Sequence, residues 1–244
     1  STSFDLPSAP RGARLYVTAL GVVDASVNGH PVSDDLFAPG WSSYAHRLAY
    51  DTYDVTALLQ PGVNELAGLL GDGWYRGNLV WGPRRHRKHY GDRVALLAQL
   101  EVTLDDGSTV VVATGQDGWT ARTGSVRSAD IYDGCDMDLT AEVESGAVVP
   151  VEVDLLPRLV VRQGPPVRRT EVLPSSASWG TPVVHDFGQN LAGWVRLGVS
   201  GPGTVTVRHA EIVVDGRLCT EPLRTARATD IENGPNRKEN RSTK

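Results

Sequence analysis

Three stretches of this chain concentrate the residue types that can do chemistry. Gly71-Asp72-Gly73-Trp74-Tyr75-Arg76-Gly77, with Trp81 shortly after, crowds three aromatic rings and an arginine among three glycines. Aromatic faces stack on the apolar C–H face of a sugar ring while polar neighbours hold its hydroxyls. Asp72, Trp74, Tyr75, Arg76 and Trp81 therefore form a candidate carbohydrate-binding set. The same pattern equally fits rings that plug the end of a β-sandwich, with the glycines serving tight turns. Asp130, Asp133 and Asp136, with Asp138 close by, fall in Ala129-Asp-Ile-Tyr-Asp-Gly-Cys-Asp-Met-Asp-Leu139. Closely spaced carboxylates beside a glycine suit a hard cation, so Asp130, Asp133 and Asp136 are candidate calcium ligands. Their spacing is not that of the twelve-residue helix–loop–helix site, and turn caps in a solvated loop are the other reading. Arg84-Arg85-His86-Arg87-Lys88-His89 could hold an anion, and reads equally as a solvated loop tip.

Other chemistries lack their residues. No GxSxG elbow, GxGxxG or phosphate-binding loop, or HExxH helix occurs. The two cysteines, Cys135 and Cys219, are too far apart in sequence for a zinc motif or a disulfide framework. An active site wholly within these residues is not expected.

The elements that must position these stretches are strands. Of 244 residues, 40% are apolar and 22% charged, with 26 Gly and 15 Pro. Val, Thr, Tyr and Leu alternate with polar residues in short runs, the period of a half-buried strand. Such runs cover 14–20, 22–27, 47–54, 64–70, 95–104, 109–113 and 119–122, and then 158–162, 167–172, 183–187, 192–199 and 204–212. Asn28-Gly29, Asp106-Gly107 and Asp215-Gly216 are hairpin dipeptides, because these residues tolerate positive φ. Residues 55–59 allow at most one helical turn. The chain is expected to be all-β: a first sandwich over 4–140, a linker over 141–157, and an incomplete second sandwich over 158–230.

Charge divides the chain unevenly. Only three residues are lysines, and Lys238 and Lys244 lie in the last 14 residues, which carry +2. The whole chain is −5, so the first 230 residues carry −7. An acidic body opposes phosphate, which argues against a nucleic-acid partner. No apolar run approaches the roughly 18 residues of a membrane helix, and no secretion signal opens the chain. Residues 231–244 read as a foreign, disordered tail.

The motifs, taken together, resemble a known family. Ala13-Arg-Leu-Tyr-Val-Thr-Ala-Leu-Gly21, Val27-Asn-Gly29, Ala38-Pro-Gly-Trp41, Tyr50-Asp-Thr-Tyr-Asp-Val-Thr56, Leu70-Gly-Asp-Gly-Trp-Tyr-Arg-Gly77, Tyr90-Gly-Asp-Arg93 and Ser128-Ala-Asp-Ile-Tyr-Asp-Gly134 follow one another in order. They resemble the N-terminal β-sandwich of bacterial α-L-rhamnosidases, inverting glycoside hydrolases that remove terminal L-rhamnose. Pro166-Val-Arg, Val184-His-Asp-Phe-Gly-Gln-Asn190, Gly193-Trp-Val-Arg196, Arg208-His-Ala-Glu211 and Leu223-Arg-Thr-Ala-Arg-Ala-Thr-Asp230 resemble the concanavalin-like sandwich that follows. The resemblance implies a jelly-roll, galactose-binding-like sandwich followed by part of a concanavalin-like one, with the likeness ending at Asp230. It implies that the catalytic carboxylates belong to an (α/α)6 barrel whose motif, Asp-Cys-Pro-x-Arg-x-Glu, is absent here, so no catalytic residue carries over. The chain is expected to be a non-catalytic piece that recognises an L-rhamnose-containing glycan, with or without calcium, and supports that barrel. The alternative is a purely structural domain packed on the barrel or on a second subunit.

Overall fold

The computed structural model describes residues 1–79, 86–151, 158–199, 202–234 and 239–242. The chain divides into two compact units. One holds Ser1–Gly77, Arg87–Thr123 and Glu144–Arg168; the other holds Asn78–His86, Gly124–Val143 and Arg169–Lys244.

The first unit is a β-sandwich. One sheet has four strands in the order Thr2–Leu6, Gly62–Gly71, Val22–Val27, His30–Pro31. The other has five: Arg158–Val161, Arg47–Asp54, Pro10–Leu20, Ala95–Leu104, Thr109–Ala113. Strand Ala95–Leu104 shows why these residues pair as they do. Ala98, Leu100, Val102 and Leu104 are buried, while Gln99 is exposed and Glu101 and Thr103 are only partly covered, the period-two alternation of a sheet with one face on a core. Leu15, Val17, Val23, Val27, Val55 and Leu66 complete that core, each at most 3% exposed. Burying each such side chain contributes roughly 1.5–3 kcal/mol.

Turn chemistry sets the hairpins. Asn28 (φ 51°) and Gly29 (φ 77°) take the paired left-handed conformations of a two-residue hairpin, as do Asp215 (φ 49°) and Gly216 (φ 74°). Asn28 is also a brace: its amide nitrogen donates to the Leu58 carbonyl and to Asn64 Oδ1, both at 2.8 Å, and its Oδ1 accepts the Glu65 N–H at 2.8 Å.

The second unit carries a four-stranded sheet in the order Val126–Asp130, Gly134–Asp138, Thr229–Gly234, Gly203–Arg208, together with two-stranded pairs. Gly134 (φ 83°) closes the first hairpin, and an added Cβ there would lie 2.7 Å from the Thr229 carbonyl carbon, so only glycine lets the strands approach. Among the described residues between 169 and 231, none is buried.

The observed division differs from the one drawn at 141–157. Ser145–Ala147, Arg158–Val161 and Val167–Arg168 pair with Thr120–Arg122, Arg47–Asp54 and Asp35–Leu36, so they belong to the first unit. The hairpin Val126–Asp130/Gly134–Asp138, expected within the first sandwich, lies in the second unit and pairs in parallel with Thr229–Gly234. Composition locates where an alternating pattern fades but not which distant strand takes up the pairing. The tail expected to be disordered contains residues of two strands, Thr229–Gly234 and Glu239–Ser242, paired with Gly203–Arg208 and Arg196–Val199. Ladder hydrogen bonds come from the backbone, so a polar segment can add to a sheet without an apolar pattern. No helix among the described residues is long and apolar enough to cross a membrane.

Candidate functional site

The aromatic loop of the first unit forms one helical turn, Gly73–Arg76, at the end of strand Gly62–Gly71. Gly73 stands at φ 52°, and an added Cβ would meet Val22 Cγ1 at 2.8 Å, so the turn needs glycine to lie against the sheet. The turn brings Asp72 and Arg76 onto one face, where Arg76 Nη1 meets Asp72 Oδ1 at 2.7 Å. Arg87 Nη2 takes the other oxygen, Oδ2, also at 2.7 Å. Both oxygens of Asp72 are thus engaged by guanidinium groups.

Helical geometry sends Trp74 roughly 200° around the turn from Asp72 and Arg76, to the opposite side. There its ring meets Phe37 edge-on, centroids 5.9 Å apart and planes at 64°. Trp74 is half-buried, and Phe37 is 45% exposed. Tyr75 points inward at 7% exposure and packs with Leu20, Tyr44 and Leu48. Its ring lies 5.1 Å from Tyr44 and 6.4 Å, stacked, from Tyr90. Burial raises the Tyr75 phenol, with the negative charge of Asp92 adding to it, and burial chiefly raises Tyr44. The turn therefore separates the expected set: Tyr75 within an apolar cluster, Trp74 partly buried against the edge of that cluster and against Phe37, Asp72 and Arg76 in an ion-paired cluster. Trp81 lies outside the described residues.

Two exposed aromatics were not among the expected set. Phe37 and Trp41, the latter 60% exposed, flank the segment Ala38-Pro39-Gly40. Phe37 stands in the left-handed region at φ 54°, an uncommon conformation for a bulky residue. The sequence signal was there in Ala38-Pro-Gly-Trp41, but it was read as family likeness and not as a surface.

Just before Phe37, the strand Asp35–Leu36 pairs with Val167–Arg168. The Asp35 side chain is 2% exposed and takes Arg168 Nε on Oδ1 at 2.8 Å and Arg162 Nη2 on Oδ2 at 2.5 Å. Tyr53 Oη donates to the same Oδ2 at 3.2 Å. Arg162 Nε reaches Asp51 Oδ1 at 2.7 Å. Burial alone would raise the Asp35 carboxyl, and hydrogen bonds from Arg162 and Arg168 reverse this and hold it below the ordinary carboxylate range. Asp51 goes the other way: burial dominates, Arg162 offsets only part of it, and its Oδ2 is buried without a hydrogen-bond partner. Charges 127 and 133 residues distant in sequence leave no local signal.

In the second unit, Asp130 ends a strand and Asp133 sits in the turn that follows. Asp130 Oδ1 accepts the Tyr132 N–H and Oδ2 accepts the Asn78 N–H, both at 2.9 Å. The Asn78 side-chain amide donates to Asp130 Oδ2 at 3.2 Å and to Asp133 Oδ2 at 3.0 Å. Asp136 lies within strand Gly134–Asp138, opposite Ser128 and Ile231. The Asp130 and Asp133 carboxylates face N–H donors, which a cation would have to displace. Among the described residues no group of three or more His, Cys, Asp or Glu side chains could hold a metal ion. Nearby, Asp230 accepts the Cys135 N–H at 2.8 Å and meets His209 Nε2 at 3.0 Å. Burial would raise Asp230, and the His209 hydrogen bond with the Cys135 N–H reverses that and lowers it.

Residues 8–171 match the family model of the α-L-rhamnosidase N-terminal domain, about two thirds of the chain. The chain belongs to the bacterial α-L-rhamnosidase family. A second family model, the bacterial α-L-rhamnosidase concanavalin-like domain, matches residues 178–241. The likeness expected to stop at Asp230 therefore continues through most of the polar tail.

Rhamnosidase relatives agree in sequence and in fold. An α-L-rhamnosidase of Streptomyces avermitilis is 42% identical over 236 residues, 89% of this chain and 22% of that protein. One from Alteromonas sp. is 33% identical, with 94% of this chain and 26% of that protein covered. The crystal structure of Streptomyces avermitilis α-L-rhamnosidase complexed with L-rhamnose superimposes with a TM-score of 0.90 at 36% identity, covering 99% of this chain and 25% of that one. The native Aspergillus terreus enzyme gives 0.88 at 34% identity, covering 99% and 30%. The chain thus spans about a quarter of the length of these rhamnosidases.

Proposed function

We propose that this chain is a non-catalytic carbohydrate-recognition and support region of an α-L-rhamnosidase, acting beside a catalytic barrel of the same parent enzyme. One observation carries the reading: the corner of Phe37, 45% exposed, and the partly buried Trp74, two rings edge-on at 5.9 Å. A corner of this kind offers a ring face to the C–H side of a sugar and a second wall beside it. L-rhamnose is the first probe, because the Streptomyces avermitilis relative was crystallised in complex with it. Asp72 and Arg76, joined to Arg87, are proposed to shape the loop, while Tyr75 supports it from within. Trp81 stays in the proposal as a further ring, on its sequence position alone.

Isothermal titration with L-rhamnose, with added calcium and with chelator, tests this reading. Heat that disappears in Trp74→Ala and Phe37→Ala supports it; absence of heat in every condition removes it. Heat that needs calcium would return Asp130, Asp133 and Asp136 to the role of metal ligands, through a rearrangement of Asn78.

A structural role is the second reading. It is favoured by Tyr75 lying in a core and by the apolar side chains that the second unit exposes: Val172, Val183, Leu191, Ile212, Val213 and Val214 are 42–63% accessible. Under that reading Trp74→Ala lowers the melting temperature and there is no affinity to lose.

A further inference from the structure

A bulky residue in the left-handed region persists only where its neighbours over-determine it. Phe37 is held from both sides. After it, the Phe37 carbonyl accepts the Gly40 N–H at 2.7 Å and the Ala38 carbonyl accepts the Val23 N–H at 2.8 Å. Before it stands Asp35–Leu36, a two-residue strand with little ladder of its own, tied to Val167–Arg168. Its firmest anchor is the buried Asp35 carboxylate between Arg162 and Arg168. Around that anchor stand Asp51 on Arg162 Nε, the exposed Asp34 on Arg168 Nε at 3.1 Å, the Tyr53 hydroxyl, and Ser33 Oγ, which accepts the Asp35 N–H at 3.1 Å. Two guanidinium groups balance two buried carboxylates here. Removing either arginine leaves buried negative charge without compensation, which drives Asp35 toward water and with it the strand that leads into Phe37.

We infer that Arg162 and Arg168 are positioning residues for the aromatic corner: by gripping Asp35 they keep the Phe37 ring against Trp74. The geometric part stands on the contacts above, and its consequence for sugar affinity rests on the carbohydrate reading. Neither arginine is required to touch a ligand. The strap 158–168, remote from the loop in sequence, thereby controls how well the corner is formed.

The test uses the full chain labelled with 5-fluorotryptophan, Trp74 being the fluorine resonance lost in Trp74→Phe. Phe37→Ala moves that resonance by removing the ring current of its neighbour. Arg168 is half-exposed, so Arg168→Gln breaks the grip without opening the core. It is expected to move the Trp74 resonance in the same direction as Phe37→Ala, with Arg168→Lys restoring most of the shift. L-rhamnose affinity is expected to fall about tenfold in Arg168→Gln, and no further when Phe37→Ala is already present. A Trp74 resonance that stays in place in Arg168→Gln, or in Phe37→Ala itself, overturns the inference. A moved resonance with unchanged rhamnose affinity overturns the link from position to binding. Absence of rhamnose heat in the unmutated chain removes the carbohydrate reading and leaves the resonance to decide the positioning role.

Discussion

Gly91 packs against the edge of the Tyr75 ring, and substituting it tests whether that ring is a core element. A Cβ at Gly91 would stand 2.6 Å from Tyr75 Cζ and 2.7 Å from Cε1. No backbone strain enters, because Gly91 is not at positive φ. The clash is with a rigid ring, and that ring is wedged between Tyr44 at 5.1 Å and Tyr90 at 6.4 Å. It has no free rotamer to retreat into, so Gly91→Ala overpacks the cluster and costs about 1–3 kcal/mol. For a chain of this size that is a fall in melting temperature of roughly 2–12 °C. Gly12→Ala is the control: Gly12 is not at positive φ, and an added Cβ meets nothing within 4 Å. Thermal unfolding followed by circular dichroism reads both variants. If Gly91→Ala melts within a degree of Gly12→Ala, Tyr75 is free to move, and its place as a fixed support beneath the loop is refuted.

The remaining expectations follow from burial and charge. Leu100→Ala, at a fully buried position in the sandwich core, loses about 2–5 kcal/mol, read as a lower urea midpoint. The phenols of Tyr44, Tyr53 and Tyr75 are raised by burial, so the stability they supply is present below about pH 10 and is lost as pH rises through their folded values. Ultraviolet titration should show phenols that ionise only as the fold opens, one fewer in Tyr44→Phe. The Asp35 and Asp230 carboxyls are lowered, so their contribution is complete above the ordinary carboxylate range, near pH 4, and fades as pH falls through the lower folded values. Asp51 is raised and has the opposite sign, its contribution fading as pH climbs. Urea midpoints between pH 3 and 7 should therefore show a shallower acid slope in Asp35→Asn and a steeper one in Asp51→Asn.

Local patterns proved legible in this sequence because their causes are local. Alternation along 95–104 predicts a strand, and Asn28-Gly29 predicts its turn, from backbone preferences that need no distant partner. The family likeness was legible too, since it rests on strings of adjacent residues. Pairing across the chain was not. Nothing near Asp35 announces Arg162 or Arg168, and nothing in the acidic run 130–138 announces that Asn78 supplies its hydrogen bonds. The run therefore reads either as a cation loop or as turn caps in a loop, and it folds as a hairpin in which Asp130 and Asp133 accept N–H groups. The aromatic loop shows the same limit at shorter range. Adjacent rings at 74 and 75 read as one platform, yet a single helical turn sets one edge-on to Phe37 and buries the other in a core.

The contrast in burial between the two units bears on how the chain responds to heat. The heat-capacity increment of unfolding follows the apolar surface newly exposed to water. That surface belongs chiefly to the core of Leu15, Leu66 and Leu100 in the first unit, whereas the described residues between 169 and 231 are at most partly covered. A calorimeter should therefore register mainly the sandwich. Amide protons on strands such as Gly203–Arg208 should exchange long before that transition, through opening events that release little buried surface. Cooperativity in this molecule is carried mainly by the unit that holds the large apolar core.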